Sequence, residues 1–200
     1  MPSHNLLNKP MLDLSAFEQR LVNRQRRILQ IPDFRKAAVL VAVLLEPEPS
    51  IILTKRTSNL STHSGQIAFA GGSLDAFETP VEAALREAHE EIGLEPKHVQ
   101  VLGLLDDVWT PAGFHVTPVV GLVSSQALLQ PNPAEVAQLL FVPLADLRLI
   151  EVTYEQKILA ASARVPSFES HERAVPHYFW QDTDIWGMTA FVIQEFLALI

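Results

Sequence analysis

The chain has 200 residues, of which 48% are hydrophobic and 19% charged, with no cysteine and a formal net charge of −8. Disulfides, thiolate metal sites and cysteine nucleophiles are therefore excluded, and the acidic balance argues against a broad nucleic-acid-binding surface. No apolar run approaches the roughly 18 residues of a membrane span and the polar first residues lack a signal-peptide pattern, so the expectation is a globular, cytoplasmic protein with no membrane partner.

Residues 1–12 carry no pattern and read as a flexible lead-in. Residues 13–200 read as one domain, with no internal repeat, low-complexity segment or linker. Asp13 to about Gln30 reads as a helix, with Leu14, Phe17, Leu21 and Ile28 on one side and Arg20, Arg24, Arg26 and Arg27 on the others. Those arginines read as a solvated face, the sharper alternative being a phosphate-facing patch. Nine of the fifteen Lys/Arg residues lie at or before Arg56, so the basic half precedes the acidic one.

Lys36 to Leu45 is a near-continuous aliphatic run, like a central strand covered on both faces. Glu46 to Ser50 is a turn, and Ile51 to Lys55 returns as a second strand that would complete a hairpin. Arg56 to Ala70 reads as a polar loop and a short strand leading into Gly71-Gly72. A loop without core residues that carries Arg56, His63 and Gln66 suggests substrate contacts.

Residues 72–94 are the most informative stretch. Thr79 fits an N-cap, Pro80 the first helical position, Glu82 the reciprocal capping-box position and Gly93 a left-handed C-cap. On this helix Glu87 and Glu91 stand one turn apart and Glu90 is i+3 from Glu87, while Val81, Ala84, Leu85, Ala88 and Ile92 form an apolar stripe. Like charges at this spacing repel, and a hard divalent cation such as Mg²⁺ or Mn²⁺ would relieve them. Alone, the cluster reads first as a solvated acidic helix.

Further on, His98 to Leu105 is strand-like, Asp106 to Gly113 a loop, Phe114 to Val123 a strand and Gln126 to Pro133 a loop. Glu135-Val136 and Leu139 to Leu144 read as a strand entering a short helix. Residues 150–180 are mixed, with an ambiguous stretch at Lys157–Val165. The aromatic run His177-Tyr-Phe-Trp180 reads as core rather than as a base-stacking platform. Asp184 to Ile200 closes the chain as a helix.

The spacing from Gly72 through Glu78, Arg86, Glu87, Glu90, Glu91 and Gly93 to Leu94 is G-x5-E-x7-R-E-U-x-E-E-x-G-U, with U aliphatic and every fixed position filled. It resembles the signature of the Nudix hydrolases. The run Leu53-Thr54-x-Arg56-x3-Leu60-x2-His63-x-Gly65-Gln66-x2-Phe69-x-Gly71-Gly72 resembles the extension upstream of that signature in the coenzyme A pyrophosphatase branch. Thr117 to Gly121 and Ile185 to Ala190 resemble the same branch. Ala70, Thr57 and Ser61 depart from it, where Pro, Ser and often a basic residue are usual; Ser61 could remove a phosphate contact.

The resemblance implies an α/β Nudix fold, an α/β/α sandwich with a mixed β-sheet. It also implies a Mg²⁺- or Mn²⁺-dependent pyrophosphatase in which Glu87, Glu90 and Glu91, with the Gly71 carbonyl, hold metal. Glu87 or Glu135 would deprotonate water, with Glu90 counted in the catalytic cluster, and Glu78 and Arg86 would form a structural ion pair. The implied small-molecule substrate is coenzyme A, contacted by Arg56, His63 and Gln66 and cleaved to 3′,5′-ADP and 4′-phosphopantetheine; acyl or oxidised forms would also fit. The competing readings are a Nudix hydrolase of another nucleoside diphosphate derivative, such as ADP-ribose or a dinucleoside polyphosphate, and a catalytically silent nucleotide-binding regulator. Monomer and homodimer are both compatible with the sequence.

Overall fold

The strand Arg35–Leu44 (β1) is the hub of the structure, a computed structural model that describes residues 13–57, 65–159 and 171–200. Residues 1–12, His63 and its neighbours, and most of the Lys157–Val165 stretch lie outside the described residues. In chain order the elements are α1 (Leu14–Asn23), β1, β2 (Ser50–Arg56), β3 (Ile67–Ala68), β4 (Ala70–Ser73), α2 (Pro80–Ile92), a single 3-10 turn (Pro96–His98) and β5 (Val99–Leu104). Then come β6 (Val108–Thr110), β7 (Phe114–Val123), β8 (Val136–Pro143), α3 (Leu144–Leu149), β9 (Thr153–Leu159), β10 (His171–Trp180), β11 (Thr183–Trp186) and α4 (Met188–Leu199).

β1 pairs in parallel with β7, from Arg35 opposite Phe114 to Val43 opposite Leu122. It pairs antiparallel with β2 at one end and with β4 at the other. The larger sheet runs β3-β2-β1-β7-β5, with β4 on β1, β6 on β7 and β8 on β2. A smaller antiparallel sheet runs β11-β10-β9. The expected hairpin is present: Ala42 faces Ile52 and Leu44 faces Ser50.

Side chains alternate across a strand, so β1 supplies two cores. Ala38, Leu40 and Ala42 face α2, meeting Ala83, Ala84, Ala88 and Ile92. Val39, Val41 and Val43 face the other way, toward Phe17 and Leu21 of α1 and Val192, Ile193 and Phe196 of α4. This explains the unbroken aliphatic run: a strand covered on both faces has no solvent side. Helices on both faces of a mixed sheet make the layers α/β/α. Phe17 and Phe196 meet edge to face at 5.4 Å, an arrangement that suits the ring quadrupoles. Among the described residues no helix is long and apolar enough to cross a membrane.

Several elements differ from expectation. The first helix ends at Asn23, not near Gln30, because Arg24 turns to an extended backbone with ψ 148°. The residues beyond it find their hydrogen bonds elsewhere: the amides of Arg27 and Leu29 donate to the carboxylates of Asp106 and Asp107, and the Asp107 amide donates to the Arg27 carbonyl. Arg24 and Arg26 form neither a solvated face nor a phosphate patch. Arg24 pairs with Asp106 and Glu195, and Arg26 with Asp107.

The expected loop 106–113 contains β6, which folds back on β7. The last helix starts at Met188 rather than Asp184, because Thr183–Trp186 pairs with β10 and Gly187 breaks the path at φ 66°. The aromatic run alternates as strand geometry requires, with Tyr178 buried and Phe179 exposed.

Asp107 anchors this corner. It is 1% exposed. It accepts from Thr117 Oγ1 at 2.7 Å and from the Leu29 amide at 3.0 Å. His115 Nε2 stands 2.7 Å from its other side, off the ideal N–H direction. Burial pushes the carboxyl up, but the contacts with His115, Thr117, the Leu29 amide and Arg26 outweigh it and hold the group below its ordinary value of 3.8. A carboxyl lowered in this way stabilises the fold fully above about pH 4, and that contribution fades as pH falls through the lowered value. Asp107→Ala is expected to cost about 3 kcal/mol at pH 7, since it leaves Arg26 and His115 without their acid. Urea unfolding at pH 7 and pH 3 checks this: the gap between wild type and variant should shrink at the lower pH.

Candidate active site

α2 is a capped helix laid close against the sheet. Thr79 accepts from the Glu82 amide at 3.3 Å, and Glu82 accepts from the Thr79 amide at 2.8 Å, which completes the capping box. Gly93 closes the helix at φ 68°, donating to the carbonyls of Ala88 and His89. The buried face runs through Ala83, Ala84, Ala88 and Ile92, with Val81 and Leu85 on its flank. Small residues here let the backbone approach β1 and β4.

That approach explains the glycine pair on β4. A Cβ at Gly71 would lie 2.3 Å from the Ala38 carbonyl oxygen and 2.6 Å from Val39 Cα. A Cβ at Gly72 would lie 2.4 Å from the Glu87 carboxylate. The carboxylate of Glu87 therefore rests on bare backbone.

The three glutamates of α2 do not share one environment. Glu91 is 3% exposed and its Oε2 accepts from the Gly71 amide at 3.3 Å. In an antiparallel pair a residue's N–H and C=O point to the same side, so the Gly71 carbonyl also faces away from β1. Burial pushes the Glu91 carboxyl up to about 7; Arg56 and the Gly71 amide oppose the rise, and Glu87 and Glu135 add to it. Glu87 is half-buried one turn earlier and bonds Arg86 Nη1 at 2.7 Å. Glu90 is exposed and held by the same Nη1 at 3.2 Å.

Arg86 gathers the loop ahead of the helix. Its Nε and Nη2 grip the two Glu78 oxygens at 2.9 and 3.0 Å, and Nη2 also donates to the Ser73 carbonyl at 3.0 Å. The hydrogen bonds from Arg86, then that from the Asp75 amide, hold the Glu78 carboxyl below its ordinary value. Such a two-pronged guanidinium–carboxylate contact specifies geometry as well as charge.

The upstream basic loop reaches the same place. Arg56 Nη1 lies 3.6 Å from Glu91 Oε1, and its buried Nε has no partner among the described residues. The Arg56 amide donates to the Gln66 carbonyl at 3.0 Å, which sets Gln66 beside Arg56. His63 lies outside the described residues.

Glu135 arrives from the segment before β8. The amides of Gln130 and Asn132 donate to the carbonyls of Ile92 and Glu91, both at 2.8 Å, and so satisfy the end of α2. Asn132 Nδ2 then donates to Glu135 Oε1 at 3.2 Å, and its Oδ1 accepts from the Ala134 amide at 3.1 Å. On the other side, the Thr57 amide and hydroxyl bond the carbonyls of Glu135 and Ala134.

Gly71, Arg56, Glu87 and Glu135 thus surround Glu91, with Gln66 bonded to Arg56 through the backbone, while Glu90 and Glu78 are held to Arg86. Among the described residues no three acidic or histidine side chains form a ready-made metal cage. Sequence reasoning missed Asn132 and Thr57. The available signal was Pro131-Asn132-Pro133, a turn dipeptide pattern just ahead of the acidic residue.

A model of the NUDIX domain family matches residues 34–162. The uncharacterized Nudix hydrolase NudL of Pectobacterium atrosepticum is 40% identical over 166 residues, 82% of each chain. Its counterpart of the same name in Photorhabdus laumondii is 38% identical over 195 residues, 92% of this chain and 96% of the relative. Among solved structures, a Nudix hydrolase from M. smegmatis, RenU, is 27% identical with a TM-score of 0.48, covering 57% of this chain and 73% of that one.

The two glycines should respond differently to a methyl group. Gly71→Ala meets backbone that cannot give, and is expected to lower stability by about 1–3 kcal/mol. Gly72→Ala meets only the end of a side chain. It should unfold close to wild type, at the expense of swinging the Glu87 carboxylate off β4. Thermal unfolding of the pair checks the first contrast, and a crystal structure of Gly72→Ala the second.

Proposed function

The chain belongs to the NUDIX domain family and is a Nudix hydrolase, and we propose that it cleaves the diphosphate of coenzyme A in a Mg²⁺- or Mn²⁺-dependent reaction. The observation that carries this reading is the position of Arg56, 3.6 Å from the buried Glu91 that also accepts from the Gly71 amide. The segment upstream of Gly71-Gly72 resembles the coenzyme A pyrophosphatase branch, and its Arg56 stands beside the carboxylates that would hold the metal.

The donor set fits a hard divalent ion. Glu91 is buried beside Glu87 and Glu135, its carboxyl is raised to about 7 chiefly by burial, and its nearest cationic atom is 3.6 Å away. Such a group is eased by a bound cation. Glu87, Glu91 and the Gly71 carbonyl would hold the metal, and Glu90 would join on leaving Arg86. When bound, the ion supplies charge neutralisation at the diphosphate oxygens and acidifies water.

The chain's own residues do the rest. Arg56, with its unpartnered Nε, and Gln66 bind and orient the phosphates, with His63 as a third contact. The Arg86–Glu78 pair keeps the β4–α2 loop on the helix. Among the glutamates expected to act on water, Glu87 and Glu90 are bonded to Arg86, which leaves fewer of their oxygen lone pairs open to a water. Glu135, whose carboxylate among the described residues is bonded by the neutral amide of Asn132, is the general base. It takes one proton of the attacking water, oxygen joins phosphorus, and the bridging P–O bond breaks. The products are 3′,5′-ADP and 4′-phosphopantetheine.

Purified protein incubated with Mg²⁺ and coenzyme A should release 3′,5′-ADP, and Glu91→Gln should lower kcat at least about 100-fold. Cleavage of ADP-ribose with coenzyme A untouched would retain the metal site and overturn the substrate. No turnover of either, with Mn²⁺ also tried, would point to a binding protein.

Glu91→Gln has a second expected effect. A carboxyl raised to about 7 destabilises the metal-free fold, an effect absent below pH 4.5 and complete above pH 7. The variant should therefore melt about 3–6 °C higher than metal-free wild type at pH 8 and match it near pH 4.5.

A further inference from the structure

We infer that Asn132 is a positioning residue that sets the Glu135 carboxylate relative to Glu91; this rests on the reading of Glu135 as the base. The Asn132 amide donates to the Glu91 carbonyl at 2.8 Å while its side chain donates to Glu135 Oε1 at 3.2 Å. One residue therefore bonds the backbone that carries the buried metal-site glutamate and the carboxylate that acts on water.

The side-chain orientation is determined by its neighbours. Oδ1 accepts from the Ala134 amide at 3.1 Å, closing an Asx turn, and Nδ2 faces the Glu135 carboxylate. The flipped amide would set oxygen against carboxylate and N–H₂ against N–H, losing both bonds. The Asn132 carbonyl also accepts from the amides of Glu135 and Val136 at 3.0 and 2.8 Å. The turn is pinned from its far side by Thr57, next to Arg56. Glu135 thus leaves a braced turn, and a neutral donor fixes one oxygen while the other stays available.

Asn132→Asp separates the two tasks of this side chain. Aspartate still accepts from the Ala134 amide, so the Asx turn survives, but it has no donor for Glu135. The measurement is kcat and KM for wild type, Asn132→Asp, Glu135→Gln and the double variant, with melting temperatures for all four. The substrate is coenzyme A, or ADP-ribose if that is what wild type cleaves. Asn132→Asp is expected to melt within about 3 °C of wild type. Its kcat should fall about 10- to 100-fold with KM changed less than about threefold, as for a displaced base. Added to Glu135→Gln it should cause no further loss, because both changes act through one carboxylate.

Wild-type kcat in Asn132→Asp alongside a crippled Glu135→Gln overturns the inference while leaving Glu135 as the base. A loss that multiplies in the double variant also overturns it, since Asn132 would then act elsewhere. Wild-type kcat in Glu135→Gln sinks the assignment of the base itself, a separate and distinguishable failure. Should Asn132→Asp unfold, Asn132→Ser, which keeps a short acceptor for the Ala134 amide and loses the reach to Glu135, carries the same comparison.

Discussion

Everything at the site depends on how closely α2 lies against β1 and β4. Three alanines on the helix and two glycines on the strand remove the side chains that would hold the backbones apart. The consequence is electrostatic as well as steric. Glu91 is carried into a nearly dry position, where its charge is poorly solvated, with Glu87 one turn away on the bare backbone of Gly72. A looser helix would leave these carboxylates in water as an ordinary acidic face. The same close packing that completes one hydrophobic layer creates the most perturbed carboxyl of the helix.

Positive charge is partitioned around that helix in two ways. Arg86 is fully engaged: it binds Glu78, Glu87, Glu90 and the Ser73 carbonyl, so it organises the β4–α2 loop and draws Glu90 away from Glu91. Arg56 stands nearer the buried carboxylate but at 3.6 Å, and its Nε has no partner among the described residues. A guanidinium with all its donors spent is structural, and one with a buried donor in reserve suits an anionic ligand. At another corner Arg24 pairs with Asp106 and Glu195, and Arg26 with Asp107. Arg24 and Arg26 are thus internal bracing, and the net charge says little about where an anion would bind.

The sequence by itself determined what depends on neighbours within a few residues. The capping box at Thr79 and Glu82, the left-handed Gly93, the one-turn spacing of Glu87 and Glu91 and the two-sided strand at β1 are all local periodicities or local hydrogen bonds, and each stands where the spacing placed it. The filled signature pointed to the family on the same grounds.

Only the tertiary structure decided which partner each group found. Nothing near Arg24 ends a helix; it ends because Asp106 and Asp107, some eighty residues on, satisfy the backbone of Arg27 and Leu29. Met188 rather than Asp184 begins the last helix because β10 takes Thr183–Trp186 as a strand. Glu87, Glu90 and Glu91 are indistinguishable as residue types on one helix, yet one is buried, one is half-buried on a glycine and one is exposed. Asn132, silent in a loop of the sequence, joins Glu91 to Glu135. The division has one cause. Helix faces and caps are set by bonds to residues three or four positions away, whereas burial and ion pairing are set by elements that meet only after folding.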